Sequence, residues 1–304
     1  MRHQEIKKLY EKNLNKCEFV KAEKFDKIFP FNIDKVKVFN VNKNVIKHLN
    51  FCLDLEKYDD FKEIENKIKK DIKNDKNIKE GNKTKEERKN SCLDLLGVYV
   101  ASINEEANIL LAKNKINEVA KTCKIAQKDL YDFVKLHEFG HAIMCEILVH
   151  PVLDKYIDII DEKPSGKITP SATSIIIEES FATAFALKNM KGSKYFEQLL
   201  EFVDNQPIQY KYGHYIYDKY EKCIEHFMVF YKFIKYLRIT SNKQDLPPIS
   251  LDEIEKVIDI KNEYKLESKC IDLVKKMGYE WIPEELRKLL LTDTKPFMKI
   301  EKAK

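Results

Sequence analysis

Two histidines four residues apart, His137 and His141, are the side chains of this sequence best suited to chemistry. On an α-helix they lie within about 40° of each other around the axis and about 6 Å apart along it, so both imidazoles can bind one metal ion. Glu138, about 100° around the helix from His137, is well placed to take a proton from a metal-bound water. The flanking apolar residues recur every three or four positions and predict a helix over about 128–149.

A third ligand is needed, because a catalytic zinc ion is held by three protein ligands and keeps one position open. The apolar segment 174–187 contains two adjacent acidic residues, Glu178 and Glu179, which are costly to bury without a cation. Both are candidates on this ground. The segment predicts a buried helix with Thr173 or Ser174 as its N-cap. The alternative is that both carboxylates face solvent from one edge of that helix.

Cys145 lies one turn after His141 on the same predicted helical face. It is a candidate sulfur ligand, although ordinary packing is the simpler interpretation. The seven cysteines of the chain are odd in number and include no C-x-x-C pair, which indicates mostly buried thiols and a reducing compartment.

Composition indicates a globular protein of one large or two modest domains, with 43% hydrophobic and 35% charged residues among 304. The 55 basic and 50 acidic residues are interleaved, so no strong field of one sign results, and binding to nucleic acid is not supported. No apolar run is long enough to cross a bilayer, and the first residues lack the apolar core of a signal peptide. We therefore expect no membrane partner and a cytoplasmic location.

The order of the remaining patterns predicts an α+β protein that is mostly helical and has a small sheet. Strands are expected over 36–41, 95–103 and 108–112, and a helix over about 114–123. A thin amphipathic helix and a solvated, charged connector are expected from residue 59 to about 90, a surface excursion over 150–170, and a helix from Pro207 to about Tyr236. We divide the chain into a mixed N-terminal region with a charged linker (1–90), a core (91–240) and a helical C-terminal appendage (241–304).

The HEFGH motif and the segment from Glu179 to Ala186, ESFATAFA, resemble the gluzincin zinc metallopeptidases. The likeness is to small bacterial, archaeal and phage members such as the ImmA/IrrE-like group, and it covers about residues 95–190. It implies a zincin-like core that binds one Zn²⁺ per chain through His137, His141 and Glu179. It also implies Glu138 as the general base of peptide-bond hydrolysis, with a protein or peptide as substrate.

Two further expectations follow from this resemblance. Many gluzincins place Asp four residues after the ligand Glu, where it orients a zinc-bound histidine, and this chain has Thr183 there. Metallopeptidases of this type also use a Tyr or His to stabilise the oxyanion. Tyr210 and His214 share a helical face and are the candidates for that role, and Gly213 beside them permits close helix packing. The alternative for these aromatic side chains is ordinary core packing.

Two rival functions are compatible with the same sequence. A zinc-binding protein of the same fold could use the ion only for structure or regulation. A helical interaction module could contain HEFGH by accident and bind a partner through its highly charged segments. Zinc content separates the second rival from the peptidase, and loss of hydrolysis in Glu138→Gln separates the first.

Overall fold

The computed structural model describes residues 18–20, 36–49, 55, 59–75, 77–78, 93–100, 107–146, 172–221, 224 and 228. Most of these residues are helical, and a small mixed sheet accompanies the helices. The predicted α+β class with mostly helical content is therefore confirmed. The more specific expectation of a zincin-like core stays a prediction.

The described strands form one sheet in the order β1-β2-β4-β3. They are β1 (Glu18–Val20), β2 (Val36–Asn40), β3 (Gly97–Val100) and β4 (Ala107–Leu111). β2 runs parallel to β4, whereas β1 and β3 are antiparallel to their neighbours β2 and β4. The strands predicted over 36–41, 95–103 and 108–112 correspond to β2, β3 and β4, but Leu95 belongs to a 3-10 helix (Leu93–Leu95) and β3 begins only at Gly97. β3 lies at one edge of the described sheet.

The two faces of the sheet are covered by different clusters of apolar residues. Ile109 and Leu111 of β4 belong to the main core, whereas Leu110 between them packs with Ile46 on the other face. This alternation follows from the two-residue period of a strand. Each face of β4 must therefore be apolar, which explains why its sequence, ANILL, is nearly continuous in apolar residues.

The described helices are α1 (Lys43–Leu49), α2 (Phe61–Lys73), α3 (Lys113–Thr122), α4 (Gln127–Glu146), α5 (Ala172–Met190), α6 (Phe196–Asp204) and α7 (Ile208–Tyr220). α4 packs against β3 and β4, and α5 packs against both α4 and α7. The helices predicted over 114–123, 128–149, 174–187 and from Pro207 correspond to α3, α4, α5 and α7. The short helix α6 was not predicted.

The first turn of α5 is capped by a carboxylate from a distant part of the chain. Asp60 accepts hydrogen bonds from Ala172 N at 2.9 Å, from Thr173 N at 3.0 Å and from Thr173 Oγ1 at 2.7 Å. The helix begins at Ala172, so the prediction of Thr173 or Ser174 as N-cap is wrong. Asp60 satisfies amides that have no partner within the helix, and its charge lies at the positive end of the helix dipole.

The charged segment after residue 59 takes part in core packing. α2 confirms the predicted amphipathic helix, but its Ile64 and Ile68 are buried, and the helix packs against α5 and α7. Tyr212 Oη donates a hydrogen bond to Asp71 Oδ2 at 3.3 Å and ties α7 to α2. Over residues 59–75 the segment therefore packs on the core and is not a solvated connector, whereas the connector expected over 79–90 lies outside the described residues. The domain boundary expected near residue 90 stays a prediction.

Several predicted features lie outside the described residues. They are the excursion over 150–170, most of the chain after residue 221 and the C-terminal region 241–304. Among the helices that are described, none is both long enough and apolar enough to cross a membrane.

Candidate metal centre

α4 holds His137 and His141 on the side of the helix that meets α5. Their imidazole rings pack edge to face, with centroids 4.9 Å apart. The His137 side chain is 2% exposed and the His141 side chain 13%. The four-residue spacing thus places both rings together in a largely dry part of the core, as the helical period requires.

A glycine between the two histidines allows α5 to come close to α4. A Cβ atom on Gly140 would lie 2.8 Å from Ala182 Cα and 3.1 Å from Ala182 Cβ, which is tighter than atoms pack. The missing side chain therefore permits the approach of the two helices. Glu179, three residues before Ala182 on α5, is thereby brought to both histidines.

Three donor atoms converge where these helices meet. The Nε2 atoms of His137 and His141 are 3.2 Å apart, and Glu179 Oε2 lies 3.2 Å from the first and 3.3 Å from the second. Zinc bonds of about 2.0–2.2 Å at tetrahedral angles would separate ligand atoms by about 3.3–3.6 Å. The observed separations are close to these values. The structure thus shows a His-His-Glu group that can hold a metal ion.

Thr183 contacts the far side of the His137 ring. Its Oγ1 lies 3.3 Å from His137 Nδ1, and its side chain is fully buried. When the ring carries its proton on Nδ1, it donates to Thr183 and turns the lone pair of Nε2 toward Glu179 and His141. A hydrogen bond of this kind fixes the tautomer that binds metal.

A third helix holds Thr183 in place. A Cβ atom on Gly213 of α7 would lie 2.5 Å from Thr183 Cβ and 2.7 Å from Ser180 O. Ser180 Oγ in turn lies 2.7 Å from Gln209 O of α7 and 2.6 Å from Ile176 O of its own helix. The predicted close packing at Gly213 is confirmed, and its partner is the helix that contains Glu179 and Thr183.

The charges of the three donors are strongly coupled. Burial alone would lower the pKa of His141, but the neighbouring Glu179 carboxylate outweighs it and raises that pKa to about 9. Burial lowers the pKa of His137 below its ordinary value. Burial would raise the pKa of Glu179, yet the charge of His141 and hydrogen bonds from both histidines hold it well below its usual range. Without metal, the raised pKa of His141 and the lowered pKa of Glu179 thus favour one proton held among the three donors near neutral pH.

Glu138 is buried beside the donor group, with 5% of the residue exposed. Its carboxylate is close enough to His141 to help raise that residue's pKa, as is Glu178. Glu178 is not a member of the His-His-Glu group, which agrees with the predicted choice of Glu179. The side chain of Cys145 lies outside what the structure describes.

The two predicted oxyanion donors have different surroundings. The Tyr210 ring lies against the His137 ring, with centroids 5.6 Å apart and planes 57° apart, and Tyr210 is 1% exposed. His214 Nδ1 lies 2.7 Å from Asp204 Oδ1 in a contact that is almost fully buried. The structure therefore places Tyr210 beside a donor histidine and pairs His214 with a carboxylate. The oxyanion role of each stays a prediction.

The sequence patterns did not predict the roles of some residues in this region. Asp204 precedes His214 by ten positions across a helix break, so no helical period links them. The packing role of Gly140 was not predicted either, although its place between the two motif histidines was a usable signal. Ser180 was noted only as part of the ESFATAFA segment.

Comparison of the chain with protein-family models, with curated proteins and with solved structures found no match. The gluzincin resemblance thus receives no support from relatives, and the functional conclusion has to be drawn from the geometry of the site.

Proposed function

We propose that this chain is a zinc-dependent metallopeptidase whose substrate is a protein or peptide. The observation that carries the proposal is the convergence of His137 Nε2, His141 Nε2 and Glu179 Oε2 within 3.3 Å of one another, beside the buried Glu138. Two imidazoles and one carboxylate are a donor set that suits zinc, and three protein ligands are the number used in catalytic rather than structural zinc sites. The seven cysteines, odd in number and without a C-x-x-C pair, favour a cytoplasmic location.

His137, His141 and Glu179 would hold the ion, and Thr183 would keep His137 in its metal-binding tautomer. A bound Zn²⁺ supplies Lewis-acid polarisation of the scissile carbonyl and lowers the pKa of a water. The one proton shared by the donors without metal must leave when the ion binds. The site therefore binds zinc in competition with protons.

Glu138 acts as general base in this proposal. Its carboxylate takes a proton from the attacking water and later delivers it to the leaving amine. Burial favours this role, because a carboxylate with little surrounding water interacts more strongly with nearby protons and charges. Tyr210 and His214 would supply hydroxyl and imidazole donors to the oxyanion, and Asp204 fixes the orientation of His214.

The first experiment measures metal content in protein purified without a histidine tag. About one zinc per chain is expected for the wild type and none for His137→Ala. Glu178→Gln is the matched control for Glu179→Gln, since both change one carboxylate of α5 to an amide. Only Glu179→Gln should lose zinc. Absence of zinc from the wild type after loading would exclude both the peptidase and any other zinc function.

The second experiment measures hydrolysis of a peptide library. Glu138→Gln should keep its zinc and lose cleavage, because it removes the base and leaves the three donors in place. Cleavage at the wild-type rate by Glu138→Gln would contradict the proposed mechanism.

The main rival is a zinc-binding protein of the same fold that does not catalyse a reaction. Thr183 favours it, because a neutral hydroxyl at 3.3 Å polarises His137 less than a carboxylate would. A wild-type protein that holds about one zinc and cleaves no member of the library would support this rival. Cleavage that depends on Glu138 would exclude it.

A further inference from the structure

Gly97 of the edge strand β3 lies directly against the side chain of Glu138. A Cβ atom on Gly97 would be 2.7 Å from Glu138 Oε1, 2.8 Å from Glu138 Cγ and 3.0 Å from Val134 Cγ1. All three atoms belong to side chains of α4, and none belongs to the backbone. Gly97 thus forms one wall of the space that the Glu138 carboxylate fills.

The conformation of the strand does not explain this glycine. Gly97 pairs with Leu111 in a regular antiparallel ladder, and its φ lies outside the left-handed region. Any L-residue can adopt such a backbone, and glycine weakens a strand because it has no side chain to pack. Lack of space, and not backbone conformation, therefore excludes a side chain at this position.

We propose that Gly97 is a positioning residue for the general base: by lacking a side chain it lets the Glu138 carboxylate lie against β3. This inference rests on the proposed function, in which Glu138 is the base. Glu138 is 5% exposed, so its position is set by neighbouring atoms more than by solvent. A methyl group at residue 97 would meet both Oε1 and Cγ of Glu138, so the side chain would have to turn and carry its carboxylate to a new position.

The helix glycines differ from Gly97 in what a methyl group would meet. At Gly140 it would meet Ala182 Cα, and at Gly213 it would meet Ser180 O, so it would push two helices apart. At Gly97 it would meet side-chain atoms of Glu138 and Val134 and no backbone atom. Gly97→Ala should therefore change the position of the base while the fold is kept, whereas Gly213→Ala should destabilise the fold.

The test uses Gly97→Ala in the full chain, with Gly192→Ala as matched control because a Cβ there meets no atom within 4 Å. Gly97→Ala should hold about one zinc, melt near the wild-type temperature and lose about 100-fold in kcat with KM little changed, since a misplacement of about 1 Å costs that much. Gly192→Ala should match the wild type in zinc content, melting temperature, kcat and KM. A fall in Tm as large as that of Gly213→Ala, or an unchanged kcat, would overturn the inference.

A second measurement does not depend on hydrolysis. With Co²⁺ in place of zinc at fixed pH, Gly97→Ala and Glu138→Gln should each change the visible absorption bands. In protein that already carries Glu138→Gln, Gly97→Ala should cause no further change. Unchanged bands in Gly97→Ala with an active wild type would refute the inference and leave the proposed function standing. Changed bands with a wild type that cleaves nothing would refute the function, and Gly97 would then position the Glu138 carboxylate beside the metal without a catalytic role. A wild type that binds no Co²⁺ refutes both.

Discussion

Two sets of buried histidine and carboxylate side chains lie in the helical core, and they are built differently. His137, His141 and Glu179 place three donor atoms 3.2–3.3 Å from one another. His214 and Asp204 make one contact of 2.7 Å. A single N–H and a single carboxylate oxygen satisfy each other, whereas three converging lone pairs compete for too few protons. Convergence, and not burial of a histidine, is therefore what distinguishes a metal site.

The largest expected difference between the two sets is in metal affinity. Glu179→Gln should weaken zinc binding by about a thousandfold or more, because it removes the charged ligand. Loss of a residue that only hydrogen-bonds a ligand typically weakens binding by about 10–100-fold. Asp204→Asn should leave the affinity within about twofold, since the pair contains no ligand in our proposal. Competition with a chromophoric chelator measures both. An equal loss in the two variants would abolish the distinction between the sets.

A smaller effect is expected at Thr183, which belongs to the first set through His137. Thr183→Val keeps the shape and removes the hydroxyl, so zinc affinity should fall by about 10–100-fold. Thr183→Ser keeps the hydroxyl and should retain most of the affinity. The same chelator competition applies. If Thr183→Ser lost as much affinity as Thr183→Val, the hydroxyl alone would not explain the effect, and the methyl group packed against Gly213 would contribute as much.

The proton held by the first set predicts a pH dependence. The pKa of His141 without metal is about 9, so below this pH zinc must displace one proton, and affinity should rise about tenfold per pH unit. His137, whose pKa is lowered by burial, adds no second proton near neutrality. Calorimetric titrations in two buffers of different ionisation enthalpy should show release of about one proton at pH 7. Affinity that does not change between pH 6.5 and 8.5 would contradict this coupling.

The second set should matter for stability and not for metal. Asp204→Ala leaves His214 Nδ1 buried without its carboxylate, which should lower the free energy of unfolding by about 1–3 kcal/mol. Urea unfolding measures this loss, and zinc content should stay at about one per chain. Replacing both residues by apolar ones should lower the free energy of unfolding by less than the sum of the two single substitutions. Loss of zinc in Asp204→Ala would place the pair within the metal site.

The smallest effect concerns the anchoring of α5, the helix that contributes Glu179. Asp60→Ala should lower the free energy of unfolding by about 1 kcal/mol, as loss of an N-cap does. Burial raises the pKa of Asp60, but hydrogen bonds from Thr173 and Ala172 lower it by more, so the pKa lies below its ordinary value. Its contribution is therefore complete above the ordinary carboxyl pKa and lost as the pH falls through the lowered value. Urea unfolding at pH 7 and near pH 2.5 should show that the free energies of unfolding of the wild type and Asp60→Ala converge at low pH. An equal difference at both pH values would contradict the capping role of the Asp60 carboxylate.

Local patterns predicted most of the elements around the site. Three- and four-residue apolar repeats located α2, α3 and α4, and two-residue alternation located β2, because these periods are set by the backbone alone. A nearly continuous apolar segment located α5. The two histidines of HEFGH were found together for the same reason. The choice of Glu179 over Glu178 needed the resemblance to gluzincins, since both residues belong to one helix and one apolar segment.

Long-range contacts account for what was missed. Asp60 caps α5 from 112 residues away, so the local search for a cap at Thr173 or Ser174 failed. Asp204 meets His214 only because α6 packs beside α7. The connector interpretation failed for α2 because its narrow apolar stripe, Ile64 and Ile68, is enough to bind the helix to the core. In each case the partner is chosen by tertiary packing, which no local period encodes.

The sequence by itself determined that two imidazoles face the same way, because a four-residue step on a helix allows little else. Only the tertiary structure decided that a carboxylate 42 residues from His137 meets them, because that depends on how closely two helices approach at Gly140. It also decided what surrounds the general base, since the space for Glu138 is left by a glycine on a strand that precedes it by 41 positions. The spacing of residues along a helix or strand determines which way their side chains point. The packing of helices and strands determines how far apart those side chains lie.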